Sequence, residues 1–219
     1  MAAPVGRPRP RRGIAEGWAC STSVVSQMSI PLPIVTPRLL VREAHPDTDA
    51  AEMAEMYCDP DVMRFIPGGA CADEAAVRAL LAGYCQLQTT SGFSSWAVVE
   101  REGGRIVGDA GFAVFEPTGD IELGYTLSRR FWGLGYATEA AGACLITGLL
   151  HLGAPRIIAA VDAENLASLR VAGRIGMTRS EEMVARGRPH VIFSARAAEM
   201  EARTREGSDA PRSRPGRAR

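Results

Sequence analysis

A bend that carries two glycines joins an alternating strand to a long helix, and this junction most constrains the fold. Residues 120–128 alternate apolar and polar side chains, the period of a half-buried strand. Residues 135–152 are rich in Ala and Leu and are followed by Gly153, which predicts a helix and its end. Gly133 and Gly135 permit a tight turn whose backbone can approach a ligand closely. The junction therefore predicts a ligand-binding bend at the start of the helix.

The start of that helix offers a site for an anion. The first turn of a helix carries unpaired N–H groups and a partial positive charge, which together favour a phosphate. Arg130, just before the bend, can add a bidentate contact to the same anion. A Walker A loop is excluded because the chain contains no lysine, and Thr138 replaces the third glycine of a dinucleotide fingerprint. The remaining pattern, R-x-x-G-x-G/A, indicates another phosphate-bearing cofactor.

Four segments, in matching order, resemble the GNAT superfamily of N-acetyltransferases. The bend has the form of the superfamily's pyrophosphate motif, and its surroundings resemble the branch that acetylates ribosomal-protein N-termini (RimJ/RimL-like). The resemblance covers roughly residues 34 to 197. Its segments are TPRLLVR at 36–42, IELGYTL at 121–127, FWGLGYATEA at 131–140, and NLASLR at 165–170 followed by Gly176 and Met177.

The resemblance implies the GNAT fold, a mixed α/β (α+β) architecture. Its central sheet is twisted and mostly antiparallel, with about six to seven strands flanked by about four helices. Periodicity and turn residues predict elements in a compatible order. The predicted strands are residues 38–43, 94–100, 105–115, 120–128, 156–161, 178–185 and 190–197, and the predicted helices are residues 46–58, 73–88, 135–152 and 164–175.

The resemblance also implies acetyl-coenzyme A as co-substrate, with its pyrophosphate on the bend. Backbone N–H groups would bind the phosphates, together with the Arg130 guanidinium and the Thr138 hydroxyl. Glu139 would repel phosphate, so we expect its side chain to point elsewhere, towards a buried structural hydrogen bond. The expected cradle residues are Gly133, Leu134, Gly135, Tyr136, Ala137 and Thr138.

Two further segments would hold the pantetheine arm, again as the resemblance implies. The strand around Tyr125, Thr126 and Leu127 would splay from its parallel neighbour, and its backbone N–H groups would pair with the arm and polarise the thioester carbonyl. Asn165 matches the asparagine that hydrogen-bonds this arm. Core packing of the side chains at 125 and 127, and helix capping by Asn165, are the structural alternatives.

Acetyl transfer to an amine requires a proton acceptor and a stabilised leaving thiolate, and two residues are candidates. Glu122 lies on the strand that leads into the bend, on the face opposite Ile121, and could be the general base or an amine-binding carboxylate. Its alternative role is that of an exposed, solvated carboxylate. Ser168 could donate a hydrogen bond to the thiolate, or act only in local capping. Many family members have a tyrosine as general acid where this chain has Ala172.

Composition narrows the class of protein. Residues 28–199 carry 15 Arg and 21 acidic residues, a formal charge of −6, which argues against DNA as a partner and is compatible with a cationic amine. Five cysteines without a C-x-x-C pair indicate reduced thiols in a cytoplasmic protein. Three scattered histidines argue against a metal site, and no apolar run is long enough to span a membrane.

The chain is expected to consist of one domain between two tails. Residues 1–27 and 200–219 are rich in arginine with proline or glycine, and both are expected to be disordered. Residues 28–199 would form the acetyltransferase domain. Met28 is a natural beginning for that domain, so the first segment could also be an artefact of the assigned translation start.

The function predicted from the sequence is acetyl-coenzyme-A-dependent N-acetylation of a primary amine by direct attack in a ternary complex. The acceptor would be a protein or peptide N-terminus or a small amine. A small-molecule or antibiotic amine acetyltransferase is one alternative, and a coenzyme-A-binding regulatory module without turnover is another. The sequence does not fix the oligomeric state, for which a homodimer is one candidate.

Overall fold

A computed structural model describes residues 29–200, and its centre is one eight-stranded sheet. The strand order across the sheet is β1-β2-β3-β4-β5-β6-β8-β7. The strands are β1 (Ile34–Val35), β2 (Leu39–Arg42), β3 (Ser95–Glu100), β4 (Ile106–Phe115), β5 (Asp120–Leu127), β6 (Ile157–Asp162), β7 (Thr178–Ala185) and β8 (Arg188–Ala195). The helices are α1 (Pro46–Tyr57), α2 (Glu74–Ser91), α3 (Tyr136–His151) and α4 (Leu166–Arg174), with 3₁₀ turns at Met63–Phe65 and Arg129–Phe131.

This architecture confirms the expected fold class. Every strand pair is antiparallel except β5 with β6, which are parallel and joined by α3. The sheet has one strand more than the six to seven expected. The additional strand is β1, which consists of two residues and pairs Ile34 with Val41 and Val35 with Leu40. Two residues are too few to show a period in the sequence.

The two faces of the sheet are covered by different helices. Along β3, Trp96 and Val98 pack into a core with α3 and α4, whereas Ala97 and Val99 pack into a core with α1 and α2. This alternation is the two-residue period of a strand buried on both faces. The sheet therefore separates the core that packs against α3 and α4 from the core that packs against α1 and α2.

Within residues 29–200 no cysteine is part of a disulfide: Cys58, Cys71, Cys85 and Cys144 are free thiols. No three His, Cys, Asp or Glu side chains in this range are grouped to hold a metal ion. Its helices are all too short or too polar to cross a bilayer. The predicted tails lie outside the described residues, except for Met200, which is helical together with residues 197–199.

Glu139 ties the first turn of α3 to the edge of the sheet. Its carboxylate accepts hydrogen bonds from Thr36 Oγ1 at 2.6 Å, from the Arg38 backbone N–H at 2.9 Å and from Arg38 Nε at 2.6 Å. This confirms the expectation that Glu139 points to a structural hydrogen bond. Burial alone would raise the pKa of Glu139, but these hydrogen bonds more than offset it, so its pKa lies below the usual value of 4.5.

We expect Glu139→Gln to lower the free energy of unfolding by about 1–2 kcal/mol at pH 7, a discounted value because Arg38 is half exposed. Because folding lowers the pKa of Glu139, its contribution is complete above pH 4.5 and is lost as the pH falls through the folded-state value. Urea unfolding of both proteins between pH 7 and pH 3 should therefore give converging stabilities. A difference that stays constant over this range contradicts the assignment, and Glu74→Gln, in an exposed pair with Arg78, is the control.

Candidate active site

The parallel strands β5 and β6 separate shortly after they begin. They pair only at Ile121 with Ile157 and at Glu122 with Ile158, so the rest of each strand diverges from the other. The expected splay at Tyr125, Thr126 and Leu127 is therefore present. An opening between parallel strands leaves backbone groups of both strands without ladder partners, and these groups are available to an extended ligand.

A cleft of about 260 Å³ occupies the opening on the α1 and α2 side of the sheet. Residues 65–67 and the α2 side chains Tyr84 and Leu87 form part of its wall. Three pairs of facing residues on β4 and β5 form its floor: Asp109 with Thr126, Gly111 with Gly124, and Ala113 with Glu122. The two glycines of the middle pair leave space between the Asp109 and Glu122 carboxylates.

The bend before α3 has the geometry of an anion cradle. Gly133 and Gly135 have φ of +78° and +81°, in the region that favours glycine. No side chain caps α3, whereas Asp73 caps α2 and Asn165 caps α4. A Cβ built at Gly133 meets nothing within 4 Å. The N–H groups of the first turn are thus left without a side-chain cap beside open space, as a pyrophosphate requires.

The predicted cradle residues lie together, but they differ in exposure. Gly133, Leu134 and Gly135 are exposed, whereas Ala137 and Thr138 are half-buried. Tyr136 is buried, and its hydroxyl donates to Glu100, so only its backbone is available to a ligand. The bend therefore exposes its backbone groups, while the Tyr136 side chain beneath them is buried and held by a hydrogen bond.

Arg38 supports this bend, a role that the sequence did not reveal. Its Nη1 donates to the Leu134 carbonyl at 2.9 Å, and its guanidinium carbon lies 4.6 Å from the centre of the Tyr136 ring. The predicted phosphate ligand Arg130 instead contacts α1, with Nη1 2.8 Å from Glu55 and Nη2 3.8 Å from Glu52. A phosphate contact by Arg130 would require exchange of this surface ion pair and stays a prediction.

Glu122 lies in the cleft rather than on an open surface. Its side chain is 12% exposed, and one carboxylate oxygen is 2.8 Å from Arg186 Nη2. Arg186 has φ of +53°, in the two-residue turn between β7 and β8, and its guanidinium carbon lies 5.2 Å from the centre of the Phe115 ring. A non-glycine residue in this region carries strain, which is more frequent at functional sites. In the cleft, Glu122 is therefore paired with the Arg186 guanidinium.

Tyr125 connects β5 to α4 beside the opening. Its hydroxyl donates to the Ser168 carbonyl at 3.1 Å, and burial raises the pKa of Tyr125 to about 12. Asn165 Oδ1 accepts from the Ser168 backbone N–H at 3.1 Å, which is the helix cap foreseen as an alternative. This cap leaves the Asn165 amide N–H groups and the Ser168 hydroxyl as donors towards the cleft. Ala172 is fully buried, so no side chain at that position reaches a ligand.

The β5 residues that follow Tyr125 lie at the end of the strand next to the bend. Leu127 is buried, and its carbonyl accepts from Trp132 Nε1 at 2.8 Å, which fixes the bend to the strand. Thr126 lies opposite Asp109 on β4. Asp109 and Arg186 were not among the site residues predicted from the sequence. The Arg-Gly pair between two strands could have marked Arg186 as a turn residue, whereas a single acid inside an apolar strand does not by itself indicate a site.

Comparisons with known proteins agree with this geometry. Residues 38–178 match the family model described as an acetyltransferase (GNAT) domain. The uncharacterised protein YkkB of Bacillus subtilis (strain 168) is 30% identical over 172 residues, which cover 78% of this chain and 99% of YkkB. A GNAT-family acetyltransferase from Bacillus anthracis has a TM-score of 0.64 at 26% identity, over 75% of this chain and 98% of its own. Ribosomal-protein-S5-alanine acetyltransferase from Vibrio fischeri has a TM-score of 0.63 at 18% identity, over 75% of this chain and 96% of its own, which shows the fold. This chain belongs to the GNAT family of acetyltransferases.

Proposed function

We propose that this protein transfers an acetyl group from acetyl-coenzyme A to a primary amine in a ternary complex. The observation that carries the proposal is the uncapped α3 bend, which follows the end of β5 at which β5 and β6 have diverged. An anion cradle that leads into a gap between strands suits a ligand with a diphosphate and an extended arm. Under this proposal, residues 28–199 form the catalytic unit, and the protein acts in the cytoplasm.

The residues of this chain would bind and orient the reactants. The backbone N–H groups of Gly133 to Thr138 would hold the diphosphate, and Asn165 would bind the arm. When bound, acetyl-coenzyme A supplies an acetyl thioester, the activated acyl group. The β5 backbone at Tyr125, Thr126 and Leu127 would polarise its carbonyl oxygen, and the Ser168 hydroxyl would donate to the sulfur. Donors fixed in place before the reaction stabilise developing charge without reorganisation.

The charge of the cleft favours an amine as the acceptor. Asp109, Glu122 and Asp162 line it, and Arg186 is the one basic residue among its lining residues. A cleft with excess negative charge attracts a cationic ammonium group. A peptide N-terminus is one acceptor class, since the Vibrio fischeri neighbour is named for an alanine of a ribosomal protein. A small amine is the other.

Thiol release from acetyl-coenzyme A, measured against a panel of peptide N-termini and small amines, tests this proposal. Mass spectrometry of the acceptor identifies the acetylated nitrogen. Release that depends on a particular amine supports the enzyme and names its acceptor class. Coenzyme A binding by calorimetry without release for any amine supports the binding-module alternative. A protein that neither binds coenzyme A nor releases thiol contradicts both.

Replacing Glu122 with Gln is expected to lower kcat/KM for the acceptor amine about 10- to 100-fold, because the variant loses an amine-binding charge in the cleft. Affinity for coenzyme A should be unchanged, since Glu122 lies near the start of β5, whereas the bend follows the end of that strand. Glu116→Gln, on the exposed turn after β4, is the control with the same chemistry. Equal turnover in wild type and Glu122→Gln eliminates the role.

A further inference from the structure

Asp109 is the one carboxylate in the cleft wall that faces no cation. Glu122 pairs with Arg186, and Asp162 Oδ2 lies 2.7 Å from Arg188 Nε. Asp109 is 4% exposed, and its Oδ2 accepts from Tyr57 at 2.7 Å and from Ser95 at 2.9 Å. Its Oδ1 is buried and has no hydrogen-bond partner of normal geometry among the described residues, although the hydroxyl and backbone N–H of Thr126 lie close enough to lower the pKa of this carboxyl. A buried carboxylate oxygen left unpaired is costly, and such exceptions point to a function.

The position of Asp109 on the sheet links it to the reacting group. Asp109 is directly opposite Thr126, in the β5 segment proposed to polarise the thioester. Glu122 is four residues before Thr126, which is about 13 Å along an extended strand. Between these rows, Gly111 and Gly124 place no side chain on the floor. The carboxylate in register with the proposed thioester position is therefore Asp109, not Glu122.

We propose that Asp109 is the general base of the reaction, accepting the proton of the acceptor amine at Oδ1, while Glu122 binds the acceptor. This inference rests on the proposed acetyl transfer. The bound ammonium gives one proton to Asp109 Oδ1, the freed lone pair of its nitrogen forms the new N–C bond, and the second proton that this nitrogen loses passes to the departing sulfur. The thioester C–S bond breaks, and its electron pair leaves on the sulfur. Tyr57 and Ser95 hold Oδ2, so Oδ1 is the basic oxygen that remains.

The surroundings of Asp109 make it a stronger proton acceptor than an exposed aspartate. Burial raises the pKa of Asp109, and the neighbouring hydroxyl donors offset only part of this effect. The titratable groups near it stay protonated: burial raises the pKa of Tyr57 on α1, of Tyr84 on α2, and of Cys144 on α3, the last to about 12. A base whose pKa is raised towards the working pH transfers protons more effectively.

Kinetics of Asp109→Asn and Glu122→Gln separate the two carboxylates, using an amine that the wild type acetylates. Asp109→Asn should lower kcat about 100-fold or more and abolish the rise of kcat/KM with pH on the acidic side. Glu122→Gln should act mainly on KM and keep that rise. Asp109→Asn should recover activity when hydroxylamine is the acceptor, because hydroxylamine is already neutral at pH 7 and needs no base before it attacks. An Asp109→Asn protein that keeps both wild-type kcat and the acidic limb overturns the inference, whereas a wild type that releases no thiol overturns the proposed function.

Stability against pH gives a second test that needs no turnover. Because folding raises the pKa of Asp109, wild type should lose stability relative to Asp109→Asn as the pH rises from 4 through the folded-state pKa. The difference should level off below pH 8, which shows an ionised carboxylate. A difference that still grows at pH 9 means a protonated Asp109 and overturns the inference. If Asp109→Asn does not fold, Tyr57→Phe replaces it: loss of a donor to the carboxylate should move the acidic limb of kcat/KM to higher pH, and an unmoved limb overturns the inference.

Discussion

Replacing Gly135 with Asp is expected to weaken coenzyme A binding about 100-fold or more. Gly135 precedes the first turn of α3 with φ of +81°, and a Cβ there lies 3.4 Å from Arg38 Nη2. A carboxylate at this position would face the diphosphate of the proposed ligand, and two like charges about 4 Å apart near a protein surface repel by about 4 kcal/mol before screening. Since each tenfold change in affinity is about 1.4 kcal/mol, a screened cost of about 3 kcal/mol gives the expected loss.

Two matched variants separate charge from backbone strain in this experiment. Gly135→Asn has nearly the same shape without the charge, and Asn tolerates left-handed backbone better than most residues, so it should lose far less affinity. Gly119→Asp makes the same change at φ of +75° in the turn before β5, with nothing within 4 Å of its Cβ. Calorimetry with coenzyme A measures all three. Unchanged affinity in Gly135→Asp contradicts the cradle.

Replacing Gly108 with Ala is expected to lower the free energy of unfolding by about 3 kcal/mol or more. A Cβ at Gly108 would lie 2.1 Å from the Thr126 carbonyl oxygen and 2.8 Å from the Leu127 Cα. Both are backbone atoms of the neighbouring strand, so no side-chain rotation relieves the contact, and β4 and β5 must move apart. The same movement displaces Asp109 from Thr126, so activity should fall even where the variant folds.

Gly124→Ala is the control for that prediction, since it makes the same substitution on the partner strand. A Cβ at Gly124 meets nothing within 4 Å, and its φ is not in the left-handed region. Its stability should stay within about 1 kcal/mol of the wild type, because alanine costs less backbone entropy than glycine. The new methyl group enters the cleft, so its KM should rise. Urea unfolding of both variants decides the matter, and a Gly108→Ala protein as stable as Gly124→Ala contradicts the close approach of the strands.

The sequence predicted most of the elements because their signals are local. The predicted strand at 178–185 coincides with β7, and the other predicted strands and helices agree with the observed bounds to within three residues. Period, turn glycines and caps such as Asp73 all act within a few residues of each other. The exceptions are the two-residue β1 and the 3₁₀ turn at Met63–Phe65, which are too short for a periodic signal.

The candidate site was predictable in part. The glycine bend could be found from its pattern, because the residues that form it are contiguous and the proposed ligand contacts are made by their backbone. Arg130 illustrates the limit, because its partner Glu55 is far away in the sequence and only folding brings the two together. Asp109 was missed for the same reason: a lone acid in an apolar strand has meaning only once Tyr57 and the cleft are placed beside it.

The sequence by itself determined the order of strands and helices, the α3 bend and the family to which the chain belongs, since contiguous residues encode each of these. The tertiary structure alone decided which carboxylates are paired and which is not. Glu122 meets Arg186 across 64 positions of chain, and Asp109 meets Tyr57 across 52. Burial and pairing depend on groups that the chain brings together only on folding, so the chemistry of a carboxylate cannot be assigned from its own neighbours in the sequence.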